Sequence, residues 1–362
     1  MKALRLLFLV AFVLSSTLAV TMLLAQAPAP AQWGGAAPAA AAGGGRGGPP
    51  PAAVALSPEV ANEDPMTETM RNDRMDFPPF KIIGNLYYVG TAYCGSYLIT
   101  TPMGNILINT NYEETVPFMK KNIEALGFKF EDTKIILASH AHGDHTTADA
   151  MVKGMTGATT EFMAEDVPAL QNIKPAGKEH PIDKVLHDGD HVTLGGMDLT
   201  AHLTPGHTLG CTTYTFPVTD AGRRYNVTII CGGLQDNARL VFNANQPDIA
   251  DVWQATANKW KTYPTDVFLG AHTWFFNLTG KYKKMKANPT GPNVWIDPAG
   301  YTKYIADTET LRAQLIKDQT AAGPPAPRGG RGGGGAGGGA GAGGAGGGGG
   351  AQGGGGGRGP AN

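Results

Sequence analysis

The sequence predicts an α/β domain built as a four-layer αββα sandwich, on three observations. Two successive halves each carry strand signals first and helical signals later, the order expected of two packed sheets with helices outside. One short continuous apolar run, 135–138, fits a strand covered on both faces. Signal-like and low-complexity sequence at the two ends leaves only the middle of the 362-residue chain to build a buried core. Residues 57–320 are enough for one large domain with a full core.

In the first half, apolar and β-branched runs at 80–83, 86–89, 96–100 and 105–108 read as a strand meander. Residues 115–126 then place Val116, Met119, Ile123 and Leu126 at helical spacing and stop at Gly127. After the covered strand, helical patterns at 148–153, ending at Gly154, and at 167–173 flank an extended stretch at 157–162. In the second half, 185–203 is β-rich, with turns at Asp188-Gly189-Asp190 and Gly195-Gly196. Further strands are expected at 211–216, 227–231 and 267–269, and helices at 249–261 and 308–317.

Residues 1–26 open with Lys2 and Arg5 and continue apolar to Leu24, the order of a secretory signal. A membrane anchor is the alternative, because the run is long enough to span a bilayer. The expected destination is the periplasm or the exterior. The Ala-, Pro- and Gly-rich residues 27–56 read as a tether and the Gly-rich residues 321–362 as a solvated tail, since neither can bury apolar area. Arg328, Arg331 and Arg358 are too few for an arginine–glycine tract that binds nucleic acid. A formal net charge of −1 implies no strong electrostatic preference for nucleic acid or anionic membrane. The expected partner is a small molecule; a membrane enters only if the N-terminal segment is retained, and no oligomeric state is implied. Cys94, Cys211 and Cys231 read as small buried apolar residues. An oxidised pair stays open for an exported chain, with no spacing to say which.

The chemistry begins at the end of the covered strand, in His140-Ala141-His142-Gly143-Asp144-His145. Two histidines two apart on extended chain leave the same face and can bind one ion together, and Asp144 and His145 follow where the chain turns. Four such groups in six residues are costly to pack without a metal. Neutral imidazoles and a carboxylate suit a hydrolytic zinc site. His207, in Thr204-Pro205-Gly206-His207-Thr208-Leu209-Gly210, and His272, after Val267-Phe268-Leu269-Gly270-Ala271, also lie beyond strands. His180, His187, His191 and His202 read as structural or surface residues, with His202 the one nearest in sequence to the site.

The runs HAHGDH, LTPGHTLGCTTYTF and FLGAH, with GNLYYVGTAYCGSYLITTPMGNILINT ahead of them, resemble the metallo-β-lactamase superfamily and, within it, the third subclass of class B β-lactamases. The resemblance covers 77–320. It implies one zinc held by His140, His142 and His207, and a second held by Asp144, His145 and His272. A cysteine serves the second metal in the first subclass, where the position after the aspartate is not histidine; here Cys231 is only a reserve ligand.

Superfamily members that cleave thioesters or phosphodiesters usually carry a metal-bridging aspartate at the end of the strand that here runs 227–231. This chain reads Cys231-Gly232-Gly233-Leu234-Gln235-Asp236 instead, with Asp236 several residues late, which favours a β-lactamase. Gly232 stands near a serine that contacts substrate in many relatives, so Gly232→Ser is expected to tighten substrate binding. Thr146, Thr147 and Asn109 also depart from the family's usual residues.

The resemblance implies that a β-lactam ring is opened by hydroxide formed on zinc, which lowers the pKa of bound water to roughly 7. Asp144 would orient that nucleophile as the catalytic residue. Trp274, with Phe275 and Phe276, would wall the substrate or else pack in the core. A lactonase or another small-ester or thioester hydrolase is the alternative, and a tethered zinc-binding surface protein a second.

Overall fold

A computed structural model of the chain describes residues 76–325. The expected signal or anchor, the tether and most of the tail lie outside the described residues. Within them, no helix is long and apolar enough to cross a membrane.

The first sheet holds β1 (Phe80–Ile83), β2 (Leu86–Tyr88), β3 (Tyr97–Thr101), β4 (Gly104–Ile108), β5 (Thr133–Leu137), β6 (Thr159–Met163) and β7 (Lys184–Leu186), in that spatial order. Pairing is antiparallel from β1 to β4 and parallel from β4 to β7. The second holds β8 (Asp190–Leu194), β9 (Met197–Leu203), β10 (Thr212–Asp220), β11 (Arg223–Ile230) and β12 (Val267–Gly270), ordered β12-β11-β10-β9-β8. The helices are α1 (Val116–Ala125), α2 (Gly143–Thr146), α3 (Asp149–Thr156), α4 (Val167–Leu170), α5 (Ile249–Trp260), α6 (Leu278–Ala287) and α7 (Pro298–Ala322).

Strand alternation builds the layers. Ile106, Ile108, Ile135 and Leu137 share one core with Leu199, Tyr214, Val227 and Ile229 of the second sheet. The residues between them, Leu107 and Ile136, face the other way and pack with Val116, Met119 and Ile123 of α1 and Val152 of α3. A one-residue slip would exchange those faces, so burial on both sides fixes the register. Tyr214 spans from sheet to sheet, its Oη donating to the Ala138 carbonyl at 2.9 Å. Behind the second sheet, Trp260 of α5 donates from Nε1 to Thr213 Oγ1 at 3.0 Å. Phe268 meets the Tyr301 ring of α7, with centroids 5.3 Å apart. The result is the αββα sandwich.

Four details differ from the sequence reading. The helix expected to stop at Gly154 runs through it to Thr156, and Gly157 takes the left-handed conformation that ends it. The stretch 185–203 divides: its first strand joins the first sheet and the other two open the second. The helix expected at 308–317 is the later part of α7, which starts at Pro298 because Asp297 Oδ1 accepts from Gly300 N at 2.8 Å. No apolar stripe announces α6, which is capped by Asn277 and fastened to the start of α7 by Lys281 Nζ to Asp297 at 2.8 Å.

Two cysteines correct the reading of small apolar residues. Cys211 and Cys231 form a disulfide, with Cα atoms 5.5 Å apart. They precede β10 and follow β11, whose antiparallel pairing brings together residues 20 apart in sequence. The disulfide also removes Cys231 as a reserve metal ligand.

Candidate metal centre

β5 stops at Leu137, so His140 and His142 sit on the loop beyond it, and α2 then carries Asp144 and His145. Two residues outside the ligand set shape this loop: Asp166, which sequence reasoning missed, and Asn109, which it noted only as a departure from the family. The buried Asp166 accepts from Ala141 N (2.8 Å), Thr208 Oγ1 (2.9 Å) and Gly210 N (2.7 Å), tying the His140–His142 loop to the His207 loop. Burial pushes its carboxyl up, and those donors pull the other way. Asn109, at φ 62°, accepts from Ser139 N at 2.8 Å and donates from Nδ2 to Gly95 O at 3.0 Å. An aspartate could accept but not donate, so the amide accounts for this departure from the family. The residue after it, Thr110, donates from its backbone N to His145 O at 3.1 Å.

Six residues expected as ligands converge in two groups. In one, the donor atoms of His140, His142 and His207 all lie within 4.8 Å of one another. In the other, so do those of Asp144, His145, His272 and Cys94. His207 Nδ1 lies 3.1 Å from the Gly233 carbonyl, which can only accept, so the proton sits on Nδ1 and the lone pair on Nε2. That Nε2 faces His142 Nδ1 at 3.1 Å. His140 Nδ1 meets Ser139 Oγ at 3.2 Å, while its buried Nε2 has no hydrogen-bond partner among the described residues. A buried lone pair beside two more imidazoles is what a metal ion would satisfy. Asp144 Oδ2 lies 3.2 Å from His145 Nε2 and 3.6 Å from His272 Nε2, and these two nitrogens are 3.4 Å apart. Tetrahedral zinc with donors at about 2.0–2.1 Å sets them roughly 3.3–3.4 Å apart, close to the separations in the second group, and the three imidazoles of the first are near enough to share an ion.

Electrostatics keeps the donors in their ligating forms. Burial, then the neighbouring imidazoles, holds His140 well below its ordinary pKa. Burial, then His145, does the same to His272, and burial with His142 brings His207 down to about 4. These rings are neutral at neutral pH. Burial raises the Asp144 carboxyl, but the neighbouring His145, which also hydrogen-bonds it, outweighs burial and leaves the group well below the usual carboxylate range.

Gly232 is a correction. It is buried against His207, and a Cβ there would lie 2.5 Å from that ring's Cγ and Cδ2. The position makes room for the imidazole, so a serine there would meet His207. Gly206 is required in the His207 loop itself, at φ 135° with a Cβ position 2.7 Å from the Trp253 ring. Trp274 stacks on His272 (centroids 4.2 Å apart) and lies against Tyr93 (4.3 Å), half-buried at the edge of the second group. Phe276 belongs to the core and does not wall the site. Thr146 and Thr147 turn their hydroxyls onto the carbonyls of His142 and Gly143, at 2.9 and 2.8 Å.

The remaining histidines stay out. His202 bonds Thr215 Oγ1 at 2.7 Å and stacks on Tyr263, and His180 is buried on Asp149 at 2.9 Å. His187 and His191 are exposed beside Asp190 and Asp198. Asp236 is exposed and joins neither group. Cys94, a fourth member of the second group, carries no motif that would have singled it out.

The model of the metallo-β-lactamase superfamily matches residues 89–221. Among solved structures, the FEZ-1 metallo-β-lactamase of Legionella gormanii is 42% identical, with 68% of this chain and 98% of that one covered and a TM-score of 0.64. The subclass B3 metallo-β-lactamase BJP-1 of Bradyrhizobium japonicum is 36% identical, with 70% and 99% covered and a TM-score of 0.63. Among curated proteins, a hydroxyacylglutathione hydrolase of Cereibacter sphaeroides is 36% identical over 81 residues, which are 22% of this chain and 28% of that protein. The chain spans between 27% and 42% of the length of such curated relatives. With the two-sheet fold and clustered donors already in place, identity of 42% across nearly the whole of a solved relative shows that the chain belongs to the metallo-β-lactamase superfamily of hydrolases.

Proposed function

We propose that the protein is a two-zinc hydrolase that opens the β-lactam ring, with Asp144 as its catalytic carboxylate. The observation that carries this reading is the end of β11. There the chain presents disulfide-bonded Cys231, then Gly232 and Gly233, and among the described residues no carboxylate besides Asp144 joins either group of donors. A thioester-cleaving relative would carry a bridging aspartate at that strand end.

When bound, zinc supplies a Lewis acid and water acidified to roughly neutral pKa. His140, His142 and His207 would hold one ion, and Asp144, His145 and His272 the other. Asp144 accepts a hydrogen bond from the attacking water and aims it at the carbonyl. His140 and His145 form the buried floor, with ring centroids 4.4 Å apart, while His142 is exposed at the mouth. Such an open site admits a bicyclic ring system, and the strain of a four-membered lactam reduces what the protein must contribute. Trp274, stacked on His272, gives the substrate an apolar edge. Export belongs to the proposal, supported by the charged-then-apolar N-terminal sequence and by a disulfide that suits an oxidising compartment.

The names of the curated relatives favour a second reading, hydrolysis of an acylglutathione thioester. The test is kcat/KM of the zinc-loaded protein on a cephalosporin, a homoserine lactone and an acylglutathione. The cephalosporin is expected to lead by at least about tenfold, a difference near 1.4 kcal/mol in transition-state stabilisation. A lead for the thioester or the lactone would replace this proposal with the corresponding esterase reading.

A further inference from the structure

Cys94 brings sulfur into the second group from the N-terminal half of the fold, away from the β11 end where Cys231 is tied up. We propose that the Cys94 thiolate is a fourth protein ligand of the second metal, beside Asp144, His145 and His272; the inference rests on the two-metal reading above.

Geometry comes first. Cys94 Sγ is 3.7 Å from Asp144 Oδ2, and the four donor atoms lie within 4.8 Å of one another. With sulfur at about 2.3 Å from zinc and nitrogen or oxygen at about 2.0–2.1 Å, tetrahedral donors stand roughly 3.3–3.6 Å apart. The separations of 3.2, 3.4, 3.6 and 3.7 Å fall around that range.

The backbone aligns this sulfur with an expected ligand. Cys94 and His272 form an antiparallel β-bridge, Gly95 N donates to Ala271 O at 2.7 Å, and Thr273 N donates to Tyr93 O at 3.1 Å. The turn is closed by Thr91, whose Oγ1 accepts from Cys94 N at 2.9 Å. Asn109 holds the next carbonyl, that of Gly95. Main-chain bonds to the segment bearing His272 therefore set where this side chain can go.

The chemistry agrees. The chain has three cysteines and two are joined, so Cys94 carries its only thiol. On binding, the S–H bond breaks, its proton passes to solvent, and the sulfur–metal bond forms. A thiolate donor biases the site toward zinc or cobalt over magnesium or manganese.

The experiment loads the full-length protein with two equivalents of cobalt(II). Sulfur-to-cobalt charge-transfer absorption in the near ultraviolet is expected, and Cys94→Ser should lose it while still binding two ions, the second at least about tenfold more weakly. Zinc-edge X-ray absorption of the unaltered dizinc protein should show one sulfur at about 2.3 Å shared between two zincs. Two bound cobalt ions without the sulfur band, or a zinc spectrum fitted by nitrogen and oxygen alone, would overturn the proposal and leave the two-metal reading standing. Fewer than two ions at saturation would overturn both.

Discussion

Replacing His145 by alanine should weaken the second metal at least about tenfold to a hundredfold and slow hydrolysis by roughly 10²–10³-fold. His145 Nε2 is central to the second group, 3.2 Å from Asp144 Oδ2 and 3.4 Å from His272 Nε2. The first group, His140, His142 and His207, keeps all its donors. With Cys94, Asp144 and His272 left, the second site should weaken rather than vanish. A graded chelator titration followed by metal analysis reads this directly: one ion should leave early, the other at the concentration that strips the unaltered protein. Unchanged double occupancy across the titration would show that His145 holds no metal.

Gly232→Ser should damage the other group. The sequence suggested that a hydroxyl here would tighten substrate binding; the packing reverses that sign. A Cβ at 232 would sit 2.5 Å from His207 Cγ and Cδ2 and 2.8 Å from its Cβ, so the ring must move. Its Nδ1 is held by the Gly233 carbonyl at 3.1 Å, and any shift takes Nε2 away from His142 Nδ1. Overpacking of this kind costs about 1–3 kcal/mol, enough for a tenfold to hundredfold loss of affinity at the three-histidine site. Gly232→Ala should behave alike, because the offending atom is the Cβ. Metal content and KM of the two variants check this. A serine variant with both ions retained and a lower KM would restore the substrate-contact reading.

What the sequence made legible is what repeats locally. Alternation such as Ile106-Leu107-Ile108 places a strand between two cores, and four ionisable groups within 140–145 declare a metal site with no knowledge of the fold. The remainder depends on contacts between distant segments. The Cys211–Cys231 bond follows from antiparallel pairing of β10 and β11, and Cys94 meets His272 only through a bridge across 178 positions of sequence. Asp166 is one carboxylate without a motif, although three donors from two loops converge on it. Helix α6 was hidden because its cap at Asn277 and its lysine contact to Asp297, rather than an apolar stripe, define it.

The most direct test of the central claim is a zinc titration of the metal-free full-length protein, following bound metal and hydrolysis of a chromogenic cephalosporin together. Two ions should bind per chain, hydrolysis should rise as they do, and chelation should abolish it until zinc is restored. Saturation at fewer than two ions, or full hydrolysis in the chelated protein, would contradict the account.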